Sequence, residues 1–157
     1  MLFKKIITGG QTGVDRGALD AALSKNFPCG GWCPDGRKAE DGVISDKYPL
    51  QVLANGNYSD RTMRNVSDSD GTAIIVFNGL MGGTAKTLDY CLTLQKPYIL
   101  INGCESDEKK AATMLVGFIE QNNIEKLNIA GPRESQMQGA HDYAFKVVIS
   151  LLDLSIC

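Results

Sequence analysis

Six consecutive residues, Thr72-Ala73-Ile74-Ile75-Val76-Phe77, form an apolar run with no charge and no alternation of apolar and polar positions. A strand with one wet face alternates, so a continuous run must be covered on both faces, as at the centre of a parallel sheet. Parallel neighbours cannot be joined by tight hairpins and need crossover connections, usually helices. This one stretch therefore commits the chain to an α/β architecture, and the rest of the sequence has to supply helices for both faces.

The flanking segments do so. Leu2 to Ile7 reads as a strand, followed by Gly9-Gly10-Gln11-Thr12-Gly13 and a helix with Val14, Ala18, Leu19, Ala22 and Leu23 on one stripe. Asn26 to Gly42 is a glycine- and proline-rich loop, with a short strand possible at Cys29 to Trp32. Ser59 is placed to cap a helix through Arg61, Met63, Asn65 and Val66. After the central strand comes a second glycine turn, Asn78 to Thr87, and a helix carrying Leu88, Cys91 and Leu92. Tyr98 to Ile101 is a strand, Asp107 to Gln121 an amphipathic helix, and Leu127 to Ala130 another strand. That strand ends in Gly131-Pro132-Arg133-Glu134-Ser135, before a final helix from about Gly139 to Leu152. The expected fold is a three-layer Rossmann-like α/β domain with a mostly parallel central sheet, spanning residues 1–157 as one domain.

The turns carry the chemistry. Strand, Gly-Gly, hydroxyl residue and helix start occur twice, at Gly9 to Gly13 and at Gly82-Gly83-Thr84. Glycine permits the tight turn and a close approach of the backbone, and a helix N-terminus offers unpaired N–H groups and a positive dipole end to an anion. Asp15 and Arg16 fall in the first helical turn, where Asp15 suits the dipole and Arg16 can reach an anion. In open α/β sheets such turns meet at the carboxyl edge, where ligands bind. The Walker A spacing is absent. Trp32, the only tryptophan, stands beside Gly30-Gly31 as a lid or a stacking surface for a flat ring.

Composition narrows the partners. A net charge of -2 and 43% hydrophobic residues describe an ordinary globular chain without the basic face of a nucleic-acid binder. No apolar run approaches the ~18 residues of a membrane span, and the start of the chain lacks the apolar core of a signal peptide. Five cysteines, Cys29, Cys33, Cys91, Cys104 and Cys157, are odd in number and read as reduced thiols of a cytoplasmic protein. Cys29-x3-Cys33 has no second cysteine pair, and His141 is the only histidine, so no protein-ligated metal site is expected.

Taken together, Gly9-Gly10-Gln11-Thr12-Gly13-Val14-Asp15-Arg16, Gly30-Gly31-Trp32-Cys33-Pro34, Arg61-Thr62, Asn65-Val66, Asp68-Ser69-Asp70, Gly82-Gly83-Thr84 and Gly131-Pro132-Arg133-Glu134-Ser135 resemble the molybdenum-carrier family. That family is the circularly permuted, YpsA-like branch of the SLOG, or lysine-decarboxylase-like, Rossmann superfamily. The superfamily also holds cytokinin-activating phosphoribohydrolases and the DNA-processing protein. The resemblance covers nearly the whole chain. It implies a nucleotide or the molybdenum cofactor as ligand, with Gly9, Gly10, Thr12 and Gly13 cradling a phosphate. Gly82, Gly83 and Thr84 would take a second anionic or ribose group. Gln11, Asp15, Arg16, Trp32, Arg61, Asn65, Asp68, Thr87, Gly131, Arg133, Glu134 and Ser135 complete the candidate binding set.

Where the phosphoribohydrolases carry Gly-Gly-x-Gly-Thr closely followed by glutamate, this chain has Gly82-Gly83-Thr84-Ala85-Lys86-Thr87-Leu88-Asp89, with the shorter aspartate in a shifted register. Three readings follow. One is a binding protein for a small phosphate-bearing molecule, with no chemistry of its own. The second is a nucleoside 5'-monophosphate phosphoribohydrolase using Asp89, Asp68 or Asp70 as acid–base group and Arg61 or Arg133 to hold the phosphate. The third is a ligand-free interaction module. A homo-oligomer is expected in each case. The catalytic residues of the second reading are not identified by the sequence.

Overall fold

The computed structural model describes residues 1–80 and 82–156, so Cys157 lies outside the described residues. In chain order the elements are β1 (Lys5–Ile7), α1 (Val14–Ser24), β2 (Cys29–Gly30), β3 (Trp32–Cys33), a 3-10 turn at Asp35–Arg37, β4 (Lys38–Ala39), β5 (Gly42–Val43), β6 (Gln51–Val52), α2 (Tyr58–Asp68), β7 (Gly71–Val76), α3 (Gly82–Thr93), β8 (Tyr98–Asn102), α4 (Glu108–Asn122), β9 (Lys126–Ala130) and α5 (Ala140–Ser155).

β7 is buried along its whole length, as its unbroken apolar run requires. It pairs in parallel with β8 on one side and β9 on the other. β9 pairs with β1 and β1 with β2, again in parallel, so the five-stranded sheet has the order β2-β1-β9-β7-β8. Counted from β7 as strand one, the order β8-β7-β9-β1-β2 reads as 2-1-3-4-5, the doubly wound flavodoxin-like order. The β1–α1–β2 unit, last in that count, is first in this chain. The circular permutation implied by the sequence resemblance is thus visible as topology.

The two faces are covered unequally. Helices α1, α4 and α5 bury the larger core against the sheet, with Ile6, Ile75, Leu115, Leu127, Ile129, Val147 and Leu151 all at most 1% exposed. Helices α2 and α3 cover the other face with a small cluster, Val66, Ile74, Val76 and Cys91, with Leu88 and Tyr90 packed on it. α2 is held at its start by Asn57, not Ser59 as its sequence position suggested. The Asn57 side chain accepts from the Asp60 N–H at 2.9 Å while the Asp60 carboxylate accepts from the Asn57 N–H at 2.9 Å, a reciprocal cap that satisfies two otherwise orphaned donors.

The segment between β2 and α2, read from sequence as loop, holds four two-residue strands. β3 pairs with β6 in parallel, and β4 with β5 as an antiparallel hairpin. Leu19, Cys33, Ala39, Ile44, Tyr48 and Leu50 make a second small core beneath them. Arg37 ties this segment together by donating to the carbonyls of Ile44, Ser45, Tyr48 and Leu50 at 2.8–3.2 Å. Among the described residues no helix is long and apolar enough to cross a membrane.

Candidate functional site

In the doubly wound order the strand sequence reverses direction at β7 and β9, and a crevice opens between the loops that leave their carboxyl ends. A cleft with a charged lining lies there. It has a volume of about 350 Å³ and is lined by residues from four directions: Gln11 and Asp15 after β1, Gly82 to Thr87 after β7, Ala130 to Arg133 after β9, and Tyr58 to Thr62 at the start of α2. The volume falls within the range of small-molecule sites, roughly 300–1,000 Å³.

The two glycine turns that look alike in sequence differ in space. A Cβ on Gly83 would meet nothing within 4 Å, and one on Gly82 only the Gln136 amide at 3.3 Å. No packing inside the protein calls for glycine at Gly83, whereas a group approaching the α3 N-terminus from the cleft would. The first-turn N–H groups of α3 have no intrahelical partner and lie along the cleft wall. The first glycine turn is closed instead by protein. A Cβ on Gly10, at φ +79°, would lie 2.4 Å from Leu50 Cδ1, and on Gly13, at φ +80°, 2.3 Å from the Pro132 carbonyl. At the start of α1 the Val14 N–H donates to Pro132 O at 3.2 Å and the Arg16 N–H to Gln11 O at 3.1 Å. Gly10 and Gly13 therefore serve close packing of the turn against Leu50 and the 131–135 loop, and Gly9 makes room for the Arg61 side chain.

Two arginines give the cleft its sign. Arg61 and Arg133 flank the Tyr58 ring, each 5.9 Å from its centroid, within cation–π reach. Arg61 is mostly buried. It donates from Nη1 to Asp15 Oδ2 at 3.3 Å, stacks over Gly9, and keeps a buried Nε without a hydrogen-bond partner among the described residues. Arg133 makes no salt bridge among the described residues, and its charge acts on the nearby Glu40 carboxylate. Lys86 Nζ adds a third cation, donating to Ser59 Oγ at 3.4 Å. Asp15 is the one carboxylate in the lining. Its burial pushes its pKa above the ordinary aspartate value, against the opposing pull of Arg61, the Gln11 and Gly9 N–H groups and Arg16.

The cleft thus gathers Gln11, Asp15, Arg61, Gly82, Gly83, Thr84, Thr87, Gly131 and Arg133 from the sequence-derived set. Gly9 and Asn65 line a small void directly behind it, with Asp15 and Arg61. The others have structural partners. Asn65 clamps β3 by accepting from the Trp32 N–H at 2.8 Å and donating to the Trp32 carbonyl at 3.0 Å. Trp32 donates from Nε1 to Asp68 at 2.7 Å and carries the Arg64 guanidinium 4.4 Å over its ring, away from the cleft. Glu134 caps α5, accepting from the Gly139 N–H at 2.7 Å and the His141 N–H at 2.9 Å. Thr12, Ser135 and Arg16 bind the acidic tip of the β4–β5 hairpin.

Tyr58, Ser59, Thr62, Lys86, Ala130 and Gln136 are the cleft residues that sequence reasoning did not assign. Lys86 was signalled by its place two residues after Thr84; the others arrive through tertiary packing alone. Asp68, Asp70 and Asp89, the acid–base candidates, do not line the cleft. Asp70 accepts instead from the Glu125 and Lys126 N–H groups at the amino end of β9. No group of three or more His, Cys, Asp or Glu among the described residues is arranged to hold a metal.

The chain is similar, with 40% identity and a TM-score of 0.93 over 96% of both chains, to the crystal structure of "Putative molybdenum carrier protein" from Syntrophus aciditrophicus SB. No curated protein matches it. The circularly permutated YpsA SLOG family matches residues 6–152, and the chain belongs to that family.

Proposed function

We propose that this protein binds a small phosphate-bearing molecule, a nucleotide or the molybdenum cofactor, in the cleft between the β7 and β9 loops. The observation that carries the reading is the open α3 N-terminus at Gly82-Gly83, with Lys86 of the same helix, lining one cleft with Arg61 and Arg133 at the topological switch point. Backbone N–H groups, a hydroxyl at Thr84 and two guanidinium groups are the donors an oxyanion takes. They fit the phosphate end of such a ligand. Among the described residues the lining has no thiol or imidazole to bind molybdenum directly, so the metal of a cofactor would be carried by the cofactor's own donors. The carrier description of the Syntrophus aciditrophicus protein supports the same ligand class.

One observation favours a second reading. Asp15 is buried, has a raised pKa and faces the cleft, the combination seen in acid–base groups. If the ligand is a nucleoside monophosphate that is hydrolysed at its N-glycosidic bond, Asp15 is the residue placed to protonate the leaving base, with water supplying the hydroxyl to the ribose carbon. We also propose self-association through the β8 edge. Among the described residues that strand has no partner on one side, and Tyr98, Leu100, Leu92 and Leu94 are 39%, 40%, 55% and 37% exposed around it.

Native mass spectrometry of freshly purified protein tests the binding reading. It predicts an adduct with the mass of a phosphate-bearing small molecule, diminished in Arg133→Ala. A bare chain that also takes up no added nucleotide or cofactor contradicts it. Release of free base from added AMP, abolished in Asp15→Asn, would select the second reading.

A further inference from the structure

Glu40 and Asp41 sit at the tip of the β4–β5 hairpin, and both are exposed. The Glu40 carboxylate nevertheless accepts from the Thr12 and Ser135 hydroxyls and, at 3.2 Å, from the Ser135 N–H. Its own N–H donates to Gln11 Oε1 at 2.9 Å, and Gln11 lines the cleft. Asp41 is paired with Arg16, whose Nη2 also donates to Gly10 O at 3.1 Å. These partners belong to the two loops at the carboxyl ends of β1 and β9, except Arg16, which stands in the first turn of α1. Two hydroxyls and a backbone N–H beside the charge of Arg133 form a receptor for an oxyanion. In this structure the oxyanion is a side chain of the protein itself.

We propose that the β4–β5 hairpin is a strap whose Glu40 carboxylate competes with the ligand's oxyanion for Thr12, Ser135 and Arg133, and swings away when that group binds. The inference rests on the reading of the neighbouring cleft as a phosphate site and concerns its regulation. Three features make the tip a strap and not a fixed buttress. Its two ends are anchored, because Ala39 and Ile44 are buried in the small second core. Between them nothing apolar holds the tip: Val43 is 77% exposed, and a Cβ on Gly42, at φ +115°, would touch nothing within 4 Å. The tip is therefore retained by polar contacts that water or a ligand can replace. Burial alone would raise the Glu40 pKa, but the Ser135 and Thr12 hydrogen bonds and Arg133 outweigh it and hold it below the ordinary glutamate value. Glu40 is thus an anion at neutral pH and competes as one.

A competitor built into the chain lowers the apparent affinity by the fraction of molecules in which the strap is open. Removing its charge should raise that fraction. Titration calorimetry with inorganic phosphate and with AMP should show both Glu40→Gln and Glu40→Ala binding about tenfold more tightly than wild type, or about 1.4 kcal/mol. Hydrogen exchange at residues 40–43 of the wild type should accelerate when phosphate is added. Wild-type binding with unchanged or weakened affinity in both variants would overturn the strap alone, leaving Glu40 as a residue that positions the Ser135 loop. If neither wild type nor variants bind phosphate or AMP, the phosphate reading of the cleft fails and the strap with it.

Discussion

Arg61 and Arg133 reach the same cleft from different elements, and what holds each one decides what its removal does. Both were singled out in the sequence as groups to hold a phosphate. Arg61 is largely buried and is the near partner of the buried Asp15. Truncating it leaves that carboxylate uncompensated, a situation that costs about 3–5 kcal/mol. Arg61→Ala should therefore lower the melting temperature by about 6 °C or more, since in a chain of this size each kcal/mol is worth about 2–4 °C. Arg133 leaves no buried partner behind, so Arg133→Ala should melt within about 2 °C of wild type; differential scanning fluorimetry separates the two. Asp15 itself carries a pH signature. Its folded pKa is raised above the unfolded value, so the folded state binds its proton more tightly, and its contribution to stability is lost as pH rises through the folded pKa. The melting temperature of wild type relative to Asp15→Asn should thus decline as the pH rises above the ordinary aspartate value of 3.8. A difference that is flat or rises with pH would mean that the pKa is not raised. Neither the burial of Asp15 nor its pairing with Arg61 was legible in sequence, because residues 46 positions apart meet only through the sheet.

At the scale of elements, β7 was read correctly from six letters because double-sided burial is written directly into composition. The small strands β3 to β6 were not, since two-residue ladders carry no periodicity and are fixed by partners distant in sequence. The two glycine turns show the same limit. Their sequences match, yet one is packed against protein and one faces the cleft, and only the neighbours of the missing Cβ distinguish them. This distinction is testable by two substitutions. Gly13→Ala demands a left-handed backbone and a Cβ 2.3 Å from Pro132 O, so it should destabilise by at least 1–3 kcal/mol. Gly83→Ala fits its space and improves helix propensity by up to about 1 kcal/mol. It should leave the melting temperature unchanged or slightly raised while weakening phosphate-ligand binding, because the added methyl stands where the ligand approaches. Equal effects of the two on stability would contradict the distinction.

At the scale of the whole molecule, the strand order β8-β7-β9-β1-β2 keeps a doubly wound sheet while moving the β1–α1–β2 unit to the front of the chain. The cleft stays at the reversal point between β7 and β9 because that position belongs to the sheet and not to where the chain starts. The sequence indicated a parallel sheet with the Gly9 and Gly82 turns meeting at its carboxyl edge, but not that β9 and its 131–135 loop stand between β1 and β7, since strand order is a property of tertiary pairing. The bare β8 edge carries its own expectation. Multi-angle light scattering at micromolar concentration should give a dimer, and Leu100→Lys should return it to a monomer; a monomeric wild type would count against the interface. The central claim is that a phosphate group is what the cleft recognises, and calorimetry of the wild-type protein with AMP and with adenosine tests it most directly. AMP should bind and adenosine should bind at least about tenfold more weakly, the loss of one charge-assisted contact of roughly 1.5–3 kcal/mol, with the AMP advantage largely gone in Arg133→Ala. Equal affinity for AMP and adenosine, or an AMP affinity indifferent to Arg133, would contradict the account.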